Sequence, residues 1–249
     1  MEKEQRFGTT EISDPCFHLE LFDNLYEGNL IITKRLTNAF IDKLIEHKEK
    51  IILHCTVTGM GGTKIEPLVP PKEVMFEKVK SLIEKGFPVE QIVLRVDPIV
   101  PTEKGVQTAV NTMNLFLPLG IHRIRISFLD MYEHVKQRFK DENVPLPYET
   151  FHASVKTREQ AIRQIIENVN GDYELEFCGE PPTANFANIS NTPCLSQRDV
   201  DILGLTDKIK LEGNKGARKN CGCPENKTEL IKDKPKQCAN KCLYCFWKN

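Results

Sequence analysis

Five apolar, β-branched runs separated by segments of helical period limit what this chain can fold into more than any other feature. The runs are "NLIITK" (Asn29–Lys34), "KIILHCTVTG" (Lys50–Gly59), "QIVLRVDPIV" (Gln91–Val100), "IHRIRISFLD" (Ile121–Asp130) and "YELEFCGE" (Tyr173–Glu180). Between them, "LTNAFIDKLIEHKEK" sets Phe40, Leu44 and Ile45 on one helical face, and "PKEVMFEKVKSLIEKG" opens at Pro70–Pro71 and stops at Gly86. "EKGVQTAVNTMNLFLPLG" and "MYEHVKQRFKDE" follow. "TREQAIRQIIENVNG" has Thr157 as its N-cap candidate, and "SQRDVDILG" has Ser196. Strand alternating with helix at this spacing predicts βαβ units and a parallel sheet. Five or six units fit before Lys210, which predicts a partial parallel (β/α) barrel of about five or six strands. An open doubly wound sheet is the alternative.

The strands carry a second message, because side chains alternate across a strand. His54, Thr56 and Thr58 share one face of the second run, and Arg95 and Asp97 one face of the third. Arg123, Arg125 and Ser127 share a face of the fourth, and Glu174, Glu176 and Cys178 one of the fifth. The opposite faces are mostly Ile, Leu, Val and Phe. Buried parallel strands usually read as near-continuous apolar runs. Four successive polar faces therefore predict a sheet with helices outside and a polar cavity inside, or else a two-layer sheet with one face in solvent. Thr58, Asp97, Ser127 and Cys178 fall at the C-terminal strand ends, where parallel barrels bind ligands.

No apolar stretch reaches the roughly 18 residues of a membrane span, and "MEKEQRFGTT" lacks the apolar core of a signal peptide. The expectation is a cytoplasmic protein with no membrane partner. In that compartment nine cysteines point away from disulfides and, where clustered, toward metal or cluster ligation. The net charge of −1 is uninformative, but from Lys208 onward 11 Lys and Arg face 4 Asp and Glu. The division expected is 1–210 as the partial barrel and 211–249 as a Cys-rich tail, without periodicity, packed on it.

The tail closes on "CANKCLYCFWKN", with Cys238, Cys242 and Cys245 at x3 and x2 spacing and the aromatic Tyr244 before the last. Three thiolates can hold three irons of a 4Fe–4S cluster and leave the fourth iron open to an outside ligand. This spacing resembles the signature of radical S-adenosylmethionine (radical SAM) enzymes, although there the motif lies near the start of the barrel. Here the tail must fold back to the barrel mouth. Cys178, Cys194, Cys221 and Cys223 can form a second four-cysteine site, holding another 4Fe–4S cluster or a zinc ion. Cys16 and Cys55 read as small buried hydrophobes.

The stretches "TGMGGTKIEPLVPP", "RVDPIVPTEKG", "RISFLDMY", "CGE", "CGCPE" and "CANKCLYCFWKN" together resemble a bacterial and phage family, the domain of unknown function numbered 1848. The resemblance runs from about Thr58 to the end. It implies an iron–sulfur protein of radical-SAM-like type with its cysteine triad at the C-terminus, and it implies no substrate. A looser likeness, in general architecture, is to spore photoproduct lyase, a radical SAM enzyme acting on DNA.

On that reading Cys238, Cys242 and Cys245 ligate the catalytic cluster. Thr58, Gly59, Gly61 and Gly62 offer close backbone approach to the SAM amino group; a tight strand-to-helix turn is the plainer account of the same glycines. Arg95 pairs with the SAM carboxylate and Asp97 with its ribose, or the two form an internal ion pair. Arg125, Ser127, Asp130, Glu180 and Tyr244 are further candidates for cofactor or substrate contact. The expected partners are SAM, an unidentified substrate such as a nucleic acid or nucleotide, and an electron donor such as flavodoxin or ferredoxin. The competing reading is a non-enzymatic zinc or iron–sulfur module. It would bind nucleic acid through its basic tail, with Phe246 and Trp247 stacking on bases. An electron-transfer iron–sulfur protein without SAM is the third.

Overall fold

The computed structural model describes residues 6–180, 186, 189–214, 221–232 and 238–247. Much of the basic tail, including Lys215, Arg218, Lys219, Lys234, Lys236 and Lys248, lies outside them. The five apolar runs form β2 (Asn29–Thr33), β3 (Ile51–Thr56), β4 (Ile92–Ile99), β5 (Arg123–Phe128) and β6 (Glu174–Phe177). Three shorter strands extend the sheet: β1 (Phe7–Thr9), β7 (Ser190–Asn191) and β8 (Lys227–Glu229). All neighbours pair in parallel, in the order β7-β6-β5-β4-β3-β2-β1-β8. This is the cyclic order of a (β/α) barrel opened between β7 and β8, and eight strands stand where five or six are legible in the sequence.

Helices α1 (Asn38–Glu46), α2 (Lys72–Glu84), α3 (Glu103–Phe116), α4 (Glu133–Asp141), α5 (Val155–Asn168) and α6 (Gln197–Ile202) lie between strands. Local chemistry sets their starts. Thr37 accepts from Phe40 N at α1, and Thr102 from Gly105 N at α3. At α5 the cap is Ser154, which accepts from Thr157 N, so the helix starts before the Thr157 expected as its cap. Ser196 and Asp199 form a reciprocal capping box on α6.

The outer sheet face buries Ile31, Leu53, Leu94, Ile124 and Ile126 against Leu44, Val79, Met113, Phe116 and Ile165 of the helices, and Cys55 lies within this core. The inner face is filled differently at its two ends. Near the strand starts, Phe7, Leu30 and Ile52 pack on Leu195, Val200 and Ile209, so the segment around α6 plugs the barrel. Toward the strand ends the inner face turns polar. The segment after Cys238 crosses that end: Leu243 N donates to Ile65 O at 3.0 Å, and Asn240 Nδ2 to Asp14 Oδ2 at 2.7 Å.

Candidate functional site

Parallel register lines up Thr56, Arg95, Arg125 and Glu176 in one row across β3 to β6, all on the inner face. The row two residues earlier contains His54 and Arg123. All are buried. Three arginines here meet three carboxylates. Arg125 Nε and Nη2 donate to Glu176 Oε2 at 3.0 and 2.5 Å, Arg123 Nη1 lies 2.9 Å from Asp199 Oδ1, and Arg95 pairs with Asp97. Burial works against the charge on Arg95, but Asp97 and the Cys194 and Cys178 thiols outweigh it and hold its pKa well above the ordinary value.

Of the two accounts of Arg95 and Asp97, the internal ion pair is the one present. Ser127 Oγ also donates to Asp97. Arg125 turns away from the mouth into the buried network. Thr58, Gly59, Gly61 and Gly62 likewise lie off the cavity lining. Thr58 Oγ1 donates to Glu66 Oε2 at 2.6 Å. A Cβ on Gly59 would meet Thr108 and Thr112 of α3, and one on Gly61 would meet the Pro70 carbonyl. Gly59 and Gly62 also have φ of 80° and 77°. Gly59 and Gly61 thus pack against their own chain in a tight turn, as the plainer of the two accounts has it.

His54 is fully buried and neither ring nitrogen has a hydrogen-bond partner among the described residues. Burial, then Arg125 and Arg95, push its pKa well below the ordinary value, with Cys194 opposing. The folded state therefore binds fewer protons here than the unfolded chain, so stability is lost as pH falls below the unfolded value of about 6.5. Between pH 6 and 5 the His54→Leu variant should lose less stability than the wild type, by up to about 1.4 kcal/mol per pH unit. Equal slopes in denaturant titrations at the two pH values would contradict this.

A cavity of about 300 Å³ opens at the strand ends, room for a small molecule. Its wall takes Thr33 and Lys34 from the end of β2, Asp97 from β4, Ser127 from β5 and Asp130 just beyond. Asp14 and Lys227 also border it. Seven cysteines line it: Cys178, Cys194, Cys221 and Cys223 in one set, and Cys238, Cys242 and Cys245 in the other. In the first set the Sγ atoms of Cys178 and Cys194 are 3.3 Å apart and those of Cys221 and Cys223 3.1 Å. Hydrogen bonding with Cys178 and Cys223 pulls Cys194 well below the ordinary thiol pKa, and hydrogen bonding with Cys223 lowers Cys221 to about 6. Their partners Cys178 and Cys223 move up correspondingly. In the second set burial pushes Cys242 up to about 12, against the pull of Lys34, and burial raises Cys245 too.

The triad segment is held from both sides. Arg138 donates to the Cys245 and Trp247 carbonyls at 2.6 and 2.7 Å. Tyr244 Oη donates to Glu66, which also takes Lys34 Nζ at 3.0 Å. Asp14 accepts from Lys34 N at 2.9 Å as well as from Asn240. Glu66, Asp14 and Lys34 escape a sequence reading because they sit in loops or at a strand end with no spacing signal. Asp130 pairs with His152 at 2.7 Å. Glu180 accepts from Phe128 N at 2.8 Å, which makes it a cap on the end of β5. No helix among the described residues is long and apolar enough to cross a membrane.

A search of curated proteins gave no match. Among solved structures, a mutant O-GlcNAc hydrolase of Thermobaculum terrenum is 17% identical over 82% of this chain and 40% of that one, with a TM-score of 0.38. The chain thus spans about two fifths of that structure's length. The family model described as "Domain of unknown function (DUF1848)" matches residues 25–247. That match takes in the strands from β2 onward, both cysteine sets and the cavity wall apart from its N-terminal part around Asp14, and the chain belongs to this family.

Proposed function

We propose that the chain is a radical SAM enzyme whose triad, Cys238, Cys242 and Cys245, holds a 4Fe–4S cluster beside the cavity at the barrel mouth. The observation that carries the reading is the placement of all three thiols on the wall of one cavity, together with the polar strand ends of β2, β4 and β5. The donor set fits the group: three soft thiolates on a short loop suit iron–sulfur ligation and leave a coordination position open. When bound, such a cluster with SAM supplies a 5′-deoxyadenosyl radical that abstracts a hydrogen atom from a substrate.

The chain's own residues have definite tasks on this reading. Lys34, half-buried near Cys242, favours the thiolate form that ligation needs. Arg138 fixes the loop through its carbonyls, and Glu66 and Asp14 fix it to the barrel. Asp97 and Ser127 present a fixed hydrogen-bonding edge to whatever enters. Tyr132, Phe246 and Trp247 form an aromatic part of the lining. These, with Lys227 and Lys241, suit a planar, anionic molecule such as a nucleotide.

The test is anaerobic purification, reconstitution with iron and sulfide, and electron paramagnetic resonance of the reduced protein with and without SAM. About four irons per chain and a spectrum altered by SAM are expected. No iron uptake, or a cluster whose spectrum SAM leaves unchanged, would overturn the reading. Zinc at the triad instead would favour the non-enzymatic module.

A further inference from the structure

We propose that Cys178, Cys194, Cys221 and Cys223 bind a single tetrahedral zinc ion that clasps the open seam of the barrel. These cysteines come from three segments. Cys178 follows β6, Cys194 follows β7, and Cys221 and Cys223 precede β8. β7 and β8 are the two edges of the sheet, with no ladder between them. The thiols meet across that gap. Cys178 touches Cys194, Cys194 hydrogen-bonds Cys223, and Cys223 touches Cys221.

The spacing selects the ligand. Zinc–sulfur bonds of about 2.3 Å in a tetrahedron put sulfurs about 3.8 Å apart. The observed contacts of 3.3 and 3.1 Å are slightly tighter. Among the described residues no coordination shell is therefore already formed, and each pair opens by roughly half an ångström to accept the ion. A cubane cluster carries its thiolates on outer corners, much farther apart, and would have to pull both pairs asunder. Four soft thiolates favour zinc over harder cations. Zinc displaces the remaining thiol protons to solvent as it binds.

The surroundings support thiolates. Arg95 Nη1 and Nη2 lie 3.7 and 3.9 Å from the Cys194 and Cys178 sulfurs. Arg125 Nη1 holds the Cys194 carbonyl at 2.9 Å. Donors of this kind orient a metal's ligands.

The test uses the full chain with Cys238→Ala, Cys242→Ala and Cys245→Ala, which leaves this set and the two buried core cysteines, Cys16 and Cys55. Purified without oxygen and stripped, it should take up one zinc per chain. With cobalt it should give the intense absorption of a tetrahedral thiolate site, and with iron and sulfide no cluster. Chelation should lower its unfolding midpoint by roughly 10 °C. Adding Cys194→Ser should abolish zinc uptake. If that variant does not fold, the stoichiometry and spectrum of the triad-free protein decide alone. No stoichiometric zinc, about four irons at this site, or a midpoint insensitive to chelation would overturn the clasp. None of these outcomes bears on iron at the triad, so the two assignments fail separately.

Discussion

Replacing Glu66 with alanine is expected to free the C-terminal segment from the barrel mouth while leaving most of the sheet folded. Glu66 is 1% exposed and gathers three donors: Thr58 Oγ1, Lys34 Nζ and Tyr244 Oη. Its partners come from the ends of β2 and β3 and from the triad loop. Removing the carboxylate strands the Lys34 ammonium, whose pKa Glu66 and Cys242 raise against the opposing effect of burial. Breaking a buried pair from one side costs about 3–5 kcal/mol. The lower end applies, because the Lys34 side chain is still 18% exposed. Burial also holds the Tyr244 hydroxyl protonated, with Glu66 adding to the effect, so it too would need a new acceptor. We expect a loss of about 3 kcal/mol in denaturant unfolding and faster proteolysis within 238–247. Iron uptake at the triad should fall, since Cys242 and Cys245 flank Tyr244. Glu66→Gln keeps one acceptor oxygen, enough for Thr58 or for Tyr244 but not for both, loses the charge, and should lie between. An alanine variant with wild-type stability and wild-type tail protection would show that Arg138 and Asp14 hold the segment unaided.

The parts of this architecture legible in the sequence are those whose signal is local. β2 to β6 announce themselves by β-branched runs, and their inner faces by alternation. The polar positions His54, Arg95, Arg125 and Glu176 do share one side of the sheet. β1, β7 and β8 are two or three residues long, too short for any period, and become strands only through their neighbours. Alternation also cannot separate a cavity wall from a filled interior. The inner face holds a buried ion network plugged by α6, and only its upper edge, with Arg95, Asp97, Ser127 and Cys178, reaches the cavity. The glycine turn is ambiguous in sequence for a similar reason: absence of a side chain signals close approach, but not by what. Glu66 and Asp14 are illegible because what they hold, Tyr244 and Asn240, arrives from 178 and 226 residues away.

Arg125→Met should be the most costly substitution inside the barrel. Arg125 is among the largest fully buried side chains of the molecule. Two of its nitrogens donate to Glu176 Oε2 and a third to the Cys194 carbonyl. Methionine fills much of the volume but supplies no donor. Glu176 would retain Arg123 at 3.9 Å, too far for a hydrogen bond. An uncompensated buried carboxylate costs about 3–5 kcal/mol. Burial opposes the charge on Arg125, and Glu176, followed by the two thiols, more than offsets it, so the guanidinium is needed as a cation. The double variant Arg125→Met, Glu176→Gln removes both charges and should recover about 2 kcal/mol relative to the sum of the two single losses. Denaturant midpoints at constant slope measure all three variants. Additive losses, or a single-variant cost under about 1 kcal/mol, would mean that water replaces the ion pair without strain. The predicted coupling ties the barrel interior to the mouth. The same guanidinium that neutralises Glu176 also fixes the backbone of Cys194, so losing it should shift that cysteine and, with it, the seam between β7 and β8.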